Sequence, residues 1–424
     1  MKYKNRIYLI CVTLFLICSV VLLTARCGRG GKERTTGPTS KFPTDTVPSC
    51  PPSIKPTINV YIENSGSMDG YVAGATDFKH AVYSYLSDIK ISNITKEINL
   101  FYINSEVVPY GNDISDFIEK LDPNSFRIRG GNRNTSDISN VLKAILQETE
   151  ENKISIFVSD CIFSPGRNKD ADQYLINQQI GIKTNFAEHL GKNPSSTICI
   201  YQLSSQFDGF FYNREDEKTK INSRRPFYLW IIGDKKNVSE LLGKVQMSKI
   251  KGSGVENDFT IMAGNQTIDY AIRPGTGKFR LSKKDPKKGI MKAKKDRNGK
   301  VTFAVNANFS QFLLDDTYLK NINNYELNDK DYELTITNSP KANNRYTHSL
   351  NLSSDKIKPS HLSIKLKTRI PEWVEQITDS EGLDINANGA INKTYGFKYL
   401  INGVYEAFTQ QNNSYTEIKI SINN

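Results

Sequence analysis

The sequence predicts an α/β domain with a doubly wound, mostly parallel sheet, followed by a β-rich accessory domain. From Ile58 to Met247, short apolar runs alternate with amphipathic helical stretches. This alternation is typical of parallel strands joined by crossover helices. After Lys249, short alternating segments separated by Asn, Asp, Gly and Pro replace it, which favours antiparallel β-structure. The chain of 424 residues is also longer than one ordinary hydrophobic core requires.

An apolar run, Ile7 to Leu23, lies near the N-terminus behind three basic residues. It predicts a signal peptide or a single membrane anchor, with the rest of the chain exported to the periplasmic or cell-surface side. We favour an uncleaved anchor, because Leu23-Thr24-Ala25 is a poor cleavage site and an arginine precedes Cys27, where lipidation would need a small residue. Basic residues flank the run on both sides, so its orientation stays open.

We divide the chain into four segments. Residues 1–27 form the signal or membrane anchor. Residues 28–56 are rich in Gly, Thr, Ser and Pro with almost no apolar periodicity, which predicts an extended tether. Residues 57–248 form the α/β domain, and residues 249–424 form the β-rich domain, which contains one predicted helix over residues 395–408.

Periodicity places the elements of the α/β domain in chain order. Apolar runs of four to eight residues predict strands over residues 58–64, 97–104, 107–110, 153–160, 197–204 and 227–234. Helical spacing of apolar residues predicts helices over residues 78–89, 114–121, 138–149, 171–190 and 237–246. Each strand is short enough to cross a sheet once, and the helices fit between them as connections.

Oxygen-bearing side chains follow two of these strands and precede one helix. In an open α/β sheet, ligands bind beyond the carboxyl ends of the strands, so loops at those ends converge on one rim. Oxygen ligands with few carboxylates suit a hard cation such as Mg²⁺. We expect six side chains to meet there: Glu63, Ser65, Ser67, Thr135, Ser136 and Asp160.

The segments ENSGSM and VSD, with the threonine loop between them, resemble the metal-ion-dependent adhesion site of von Willebrand factor type A domains. That family's pattern is Asp-x-Ser-x-Ser, a distant Thr and a distant Asp. The resemblance implies a Rossmann-like fold for the α/β domain and a bound Mg²⁺, Mn²⁺ or Ca²⁺. It also implies a protein partner that presents a carboxylate to the ion.

The resemblance also implies a role for each residue. Ser65, Ser67 and Thr135 would coordinate the ion through their hydroxyls, and Asp160 would hold a coordinated water. Glu63 replaces the family's Asp, and its extra methylene moves the carboxylate outward. It could hold a water, bind the ion directly, displace a water or mark a degenerate site.

The threonine loop allows two alignments and carries a possible glycosylation signal. SDISNVL fits the family spacing with Ser136 in the threonine place, so either Thr135 or Ser136 could serve. Asn134 begins an Asn-Thr-Ser sequon at the same loop, where a glycan would obstruct the site. This favours a bacterial envelope protein.

Two other functions fit parts of the sequence. If Ser65 and Ser67 only form a turn and cap the next helix, and Asp160 only ends a strand, the protein is a metal-free structural envelope scaffold. A hydrolase is the third possibility, but there is no Gly-x-Ser-x-Gly elbow, and His80, the closest histidine in sequence, falls on a predicted helix. We therefore expect a binding protein and not an enzyme.

The formal net charge of +11 is concentrated in one run, Lys283 to Lys300, with nine basic and two acidic residues. Such a run could bind phosphate-bearing polymers or lipid headgroups. No aromatic residues interleave with the charges, as they do in single-strand nucleic-acid sites. We therefore interpret the run as a solvated hairpin and expect no nucleic-acid partner.

Overall fold

The computed structural model describes residues 55–133, 137–340, 345–356, 358–387 and 389–423. The proposed anchor, Cys27 and most of the tether lie outside these residues. Within the described ranges, no helix is both long and apolar enough to cross a membrane. Residues Ile54–Asn424 form one compact unit.

A seven-stranded mixed sheet organises the first part of this unit. Its strands are β1 (Thr57–Glu63), β2 (Glu97–Ile103), β3 (Val107–Gly111), β4 (Lys153–Ser159), β5 (Ser196–Tyr212), β6 (Lys218–Asp234) and β7 (Asn257–Met262). Their order is β3-β2-β1-β4-β6-β5-β7. Strands β2, β1 and β4 are parallel, and the other pairs are antiparallel. The predicted α/β class is confirmed, with parallel pairing at the centre of the sheet.

Helices connect or follow these strands. They are α1 (Asp77–Ser92), α2 (Ile114–Glu119), α3 (Pro123–Arg127), α4 (Ile138–Glu148), α5 (Ala171–Lys192) and α6 (Lys235–Lys244), with 3-10 turns at Gly66–Tyr71 and Met247–Lys249. Side chains at the N-cap positions accept backbone N–H bonds, for example Thr76 before α1 and Asp137 before α4. Such bonds stabilise the first turn of a helix.

Strands β5 and β6 differ from the predicted arrangement. The sequence patterns predicted parallel strands with crossover helices, but β5 and β6 pair antiparallel over their whole length, from Ser196–Asp234 to Tyr212–Lys218. The physical reason is the length of the connection. A parallel pair needs a crossover of a dozen residues or more, and only the short turn after Tyr212 separates these two strands.

Two further sheets form the β-rich part. One has the order β12-β15-β18-β10-β9 and the other β13-β14-β11-β8. The strands are β8 (Tyr270–Arg273), β9 (Lys278–Leu281), β10 (Gly289–Lys294), β11 (Val301–Ala307), β12 (Tyr325–Leu327), β13 (Glu333–Asn338), β14 (His348–Ser354), β15 (Ser360–Lys367) and β18 (Ser414–Asn423). Buried side chains from both sheets belong to one hydrophobic cluster, so the sheets pack face to face.

The remaining elements of the C-terminal segment divide between the two parts. Helix α7 (Asp316–Lys320) and the 3-10 turn Ile322–Asn324 lie with the β-rich sheets, whose hydrophobic cluster includes Leu319. The elements that pack on the α/β part are α8 (Glu372–Gln376), the small strands β16 (Thr378–Asp379) and β17 (Thr394–Tyr395), the 3-10 turn Ala390–Asn392 and α9 (Phe397–Thr409). Buried residues of α9 share the hydrophobic cluster of the seven-stranded sheet. A Cβ at Gly403 would lie 2.7 Å from the Gln179 carbonyl oxygen, so glycine permits close contact between α9 and α5.

These contacts cross the predicted boundary between residues 248 and 249. Strand β7 completes the seven-stranded sheet by pairing with β5, although it lies beyond that boundary in sequence. Helix α9 covers a face of α5 from much further along the chain. That residues 57–248 and 249–424 form separate domains stays a prediction, which truncation can test.

Candidate metal centre

The candidate centre lies where β1 and β4 end side by side. Because these strands are parallel and Ile62 pairs with Val158, both chains leave the sheet at the same edge. Glu63 ends β1 and Asp160 directly follows β4. Their side chains are 0% and 1% exposed, so the sheet places two carboxyl groups at one buried position. Two predicted site residues are therefore brought together.

The Glu63 carboxylate is held by its neighbour on β4. The Ser159 hydroxyl donates a hydrogen bond to Glu63 Oε2 and accepts one, at 2.7 Å, from the backbone N–H of Cys161. Cys161 has a φ of 55°, a left-handed conformation that non-glycine residues seldom adopt and that is associated with functional sites. The chain thus turns sharply just after Asp160.

Asp160 has one satisfied and one unsatisfied oxygen. Its Oδ1 accepts a bond from the Ile162 N–H at 3.2 Å, which is the strand-ending turn expected of an aspartate. Its Oδ2 is buried and makes no hydrogen bond to any described residue. Buried polar atoms are normally bonded, and leaving one unsatisfied costs about 1–3 kcal/mol.

Burial and charge also perturb the acidity of Asp160. Burial is the main cause that raises its pKa to about 7, and the charge of Glu63 raises it further. Three neighbours lower the Asp160 pKa by smaller amounts: the Ser67 hydroxyl, the Ile162 N–H and the Arg225 guanidinium. The Ser67 hydroxyl lies nearby but outside hydrogen-bond geometry to Oδ2. The carboxyl group therefore changes charge near neutral pH.

The two serines lie on the turn after β1. Ser65 is 4% exposed and Ser67 is half-buried, and their hydroxyl oxygens are 3.0 Å apart. Ser65 occupies the N-cap position of the turn Gly66–Tyr71 but makes no side-chain cap bond. The cap of α1 is Thr76 instead. The serine hydroxyls therefore do not serve as helix caps, and both oxygens can still accept a cation.

Arg133 fixes this turn from the neighbouring loop. Its guanidinium donates to the carbonyl oxygens of Asn64 at 2.6 Å and Ser65 at 3.2 Å, and it forms an ion pair with Asp69. The Gly66 N–H donates in return to the Arg133 carbonyl oxygen at 3.0 Å. The loop that carries the predicted threonine is thereby joined to the serine turn.

Thr135 and Ser136 themselves lie outside the described residues. The nearest described residues on either side are Arg133, bonded to the serine turn, and Asp137, which caps α4 by accepting the Asn140 N–H at 3.1 Å. The sequence-based assignment of a third hydroxyl ligand therefore stays a prediction.

The β5–β6 hairpin extends past the end of β4 and covers the turn. A Cβ at Gly70 would lie 2.5 Å from the Phe207 ring, and one at Gly209 would lie 2.7 Å from the Gly70 Cα. Glycine is needed at both positions because Gly70 lies against the Phe207 ring and Gly209 lies against the Gly70 backbone. From β6, the buried Arg225 donates to the carbonyl oxygens of Ile391 at 3.1 Å and Lys393 at 3.3 Å, which ties the C-terminal segment to the centre.

Sequence reasoning missed Ser159, Arg133 and Arg225. Ser159 stands inside the quoted VSD motif, and its place opposite Glu63 in adjacent parallel strands was the signal that could have identified it. Arg133 and Arg225 act through contacts between segments distant in sequence, so no local pattern marks them.

The chemistry of these donors fits a hard divalent cation. They are carboxylate and hydroxyl oxygens, which Mg²⁺ and Mn²⁺ prefer, and the unsatisfied Asp160 Oδ2 is an atom that an ion or its coordinated water would satisfy. Among the described residues there is no group of three or more His, Cys, Asp or Glu side chains arranged to hold a metal. A site here would thus rely on the serine hydroxyls.

Comparison with known proteins gives no match, either to a protein-family model or to a curated protein.

Proposed function

We propose that this protein is a membrane-tethered, exported binding protein that recognises a protein partner through a divalent cation held at the ends of β1 and β4. The observation that carries the proposal is the buried Asp160 Oδ2 without a hydrogen bond, next to Glu63 and the paired serine hydroxyls. A cation would supply the missing interaction.

The proposed ligands follow from the donor types. Ser65 and Ser67 would coordinate the ion directly, with Thr135 or Ser136 as the third hydroxyl. Asp160 would hold a coordinated water, and Glu63 would supply balancing charge. Among the described members of this group, Ser67 alone is partly exposed, so we place the coordination position left open to solvent on its side. A carboxylate of the partner would complete the coordination there.

The membrane tether is proposed from Ile7 to Leu23 alone, which lie outside the described residues. An N-terminal anchor followed by the predicted tether, residues 28–56, would hold the folded unit near the membrane while leaving the cation site accessible to a partner. We expect the full chain to fractionate with membranes.

A thermal-shift experiment tests the cation site. Millimolar Mg²⁺ or Mn²⁺ should raise the melting temperature and a chelator should reverse the increase, because a ligand that binds only the folded state stabilises it. Ser67→Ala should abolish the shift. Ser87→Ala removes another half-buried serine, on α1, and should keep it. If the wild-type protein shows no metal-dependent shift, the metal-free scaffold replaces this proposal.

A further inference from the structure

The outer edge of the five-stranded sheet carries a concentration of unpaired positive charge. Strand β9 is the last strand of that sheet and pairs with β10. Eight cationic side chains on β9, on β10 and in the adjoining turns are exposed and form no ion pair in the described part of the chain. We call them the basic edge: Lys278, Arg280, Lys283, Lys284, Lys292, Lys294, Lys295 and Arg297.

The strand register places like charges opposite each other. Lys278 and Lys294 are direct cross-strand partners on β9 and β10, an arrangement that destabilises an antiparallel pair. Arg280 lies opposite Met291 in the same ladder, so no acid alternates with these cations. Charged side chains on an edge strand protect it from aggregation, but here they form a continuous group of eight cations that extends over β9, β10 and the adjoining turns.

The two acids within the run do not neutralise it. Asp285 Oδ1 accepts the backbone N–H groups of Lys287 and Lys288 at 3.2 Å. Asp296 Oδ1 accepts those of Asn298 at 2.8 Å and Lys300 at 3.0 Å. Both carboxylates therefore shape turns, and neither forms an ion pair with the eight cations of the basic edge.

We infer that the basic edge binds an anionic phospholipid surface, so that the folded unit lies against the membrane that the N-terminal segment is proposed to enter. The inference rests on the proposed tether. The segment from Gly28 to Pro56 reaches at most about 100 Å when fully extended, so the basic edge stays within reach of lipid headgroups. Strands β9 and β10 are hydrogen-bonded neighbours, about 14 and 20 Å long, so the charges on both strands can act on one patch of the bilayer.

Charge complementarity favours lipid over nucleic acid. Each lysine or arginine close to an anionic bilayer strengthens binding roughly fivefold, and binding weakens as salt rises. Base stacking, which a single-stranded nucleic-acid site uses, would need exposed aromatic side chains among the cations. Phe279 is the one aromatic residue of β9, and it packs against the sandwich core.

Vesicle sedimentation tests the inference with residues 55–424, the compact unit without the apolar run. A cooperative melting transition first verifies that this fragment is folded. It should bind vesicles that contain phosphatidylglycerol and not vesicles of phosphatidylcholine alone. Replacing Lys278, Arg280 and Lys294 by Gln should weaken binding on the order of 100-fold without lowering the melting temperature, since a repulsive pair is removed.

The matched control replaces Lys90, Lys236 and Lys249 by Gln, which removes the same charge from exposed positions elsewhere. It should bind almost as well as the wild type. Equal loss in both triple variants, or binding to heparin or DNA without binding to anionic vesicles, would overturn the inference. Because the fragment lacks the anchor, failure here is distinct from failure of the full chain to fractionate with membranes.

Discussion

The Ser159 hydroxyl donates a hydrogen bond to the Glu63 carboxylate across the ends of two adjacent parallel strands. This bond holds the fully buried Glu63 carboxylate in place beside Asp160, the residue that follows Ser159. A hydrogen bond to a charged group contributes about 1.5–3 kcal/mol. Ser159→Ala should therefore lower the free energy of unfolding by about 2 kcal/mol, measured by urea denaturation. An unchanged midpoint would show that Glu63 is held by other contacts.

Asp160 should make the stability of the metal-free protein depend on pH. Its folded pKa of about 7 lies above the value near 4 of an unfolded aspartate, so the folded state binds the proton more tightly. The stabilisation by this proton is complete below about pH 4 and is lost as the pH rises to about 7. Across this range the free energy of unfolding should fall by about 3 kcal/mol.

Asp160→Asn isolates this effect because the amide cannot ionise. In the presence of chelator, the variant should be more stable relative to the wild type at pH 8 than at pH 5, measured by urea denaturation. The control Asp331→Asn removes a partly exposed carboxylate paired with two lysines. A pH dependence that survives in Asp160→Asn would assign it to another group.

Glu63→Asp separates the structural role of this residue from its role toward the ion. Aspartate is the residue at this place in the pattern of von Willebrand factor type A domains, but its shorter side chain would move the carboxylate away from the Ser159 hydroxyl. We expect the metal-free protein to lose about 1–2 kcal/mol, while the increase in melting temperature with Mg²⁺ persists or grows. If Mg²⁺ no longer raised the melting temperature of the variant, ion binding would require the longer side chain of glutamate.

The close contact between the turn and the hairpin predicts a packing effect. Gly70→Ala would drive a methyl group into the Phe207 ring and should cost about 1–3 kcal/mol, as overpacking does. Because the turn carries Ser67, the variant should also lose metal affinity. Gly191→Ala in α5 has open space around the new methyl and should be neutral or slightly stabilising. Equal effects of both substitutions would contradict this account of the contact.

Truncation tests whether the predicted boundary separates two folding units. A fragment of residues 55–256 lacks β7 and α9, and it exposes the face of α5 that includes Ile182. We expect weak, non-cooperative unfolding and binding of a hydrophobic dye. Release of a stable fragment ending near residue 256 by limited proteolysis would instead support independent domains.

The strands and helices were predictable because periodicity is a local property. The run 153–160 predicted β4 and the spacing over residues 171–190 predicted α5 closely. The hairpin of β5 and β6 was not predicted, because buried strands look apolar in either direction. The position of α9 was also beyond prediction, since its partner α5 lies far away in sequence.

Some residues of the candidate centre could likewise be predicted from local sequence and others could not. The positions of Glu63, Ser65, Ser67 and Asp160 could be predicted because each lies at or just after the end of a strand. The buried Arg225 and the clamp by Arg133 could not, because their partners come from other segments. The register that opposes Lys278 and Lys294 is likewise a tertiary property, and it changes the interpretation of a run that looked like a solvated hairpin.

Calorimetric titration of Mn²⁺ into the purified protein at pH 7.5 tests the central claim most directly. We predict binding of one ion per chain, weaker at pH 6 because the Asp160 proton competes with the ion, and abolished by Asp160→Asn but not by Asp331→Asn. Absence of binding by the wild-type protein at millimolar Mn²⁺, or binding that Asp160→Asn leaves unchanged, would contradict a cation site at the ends of β1 and β4.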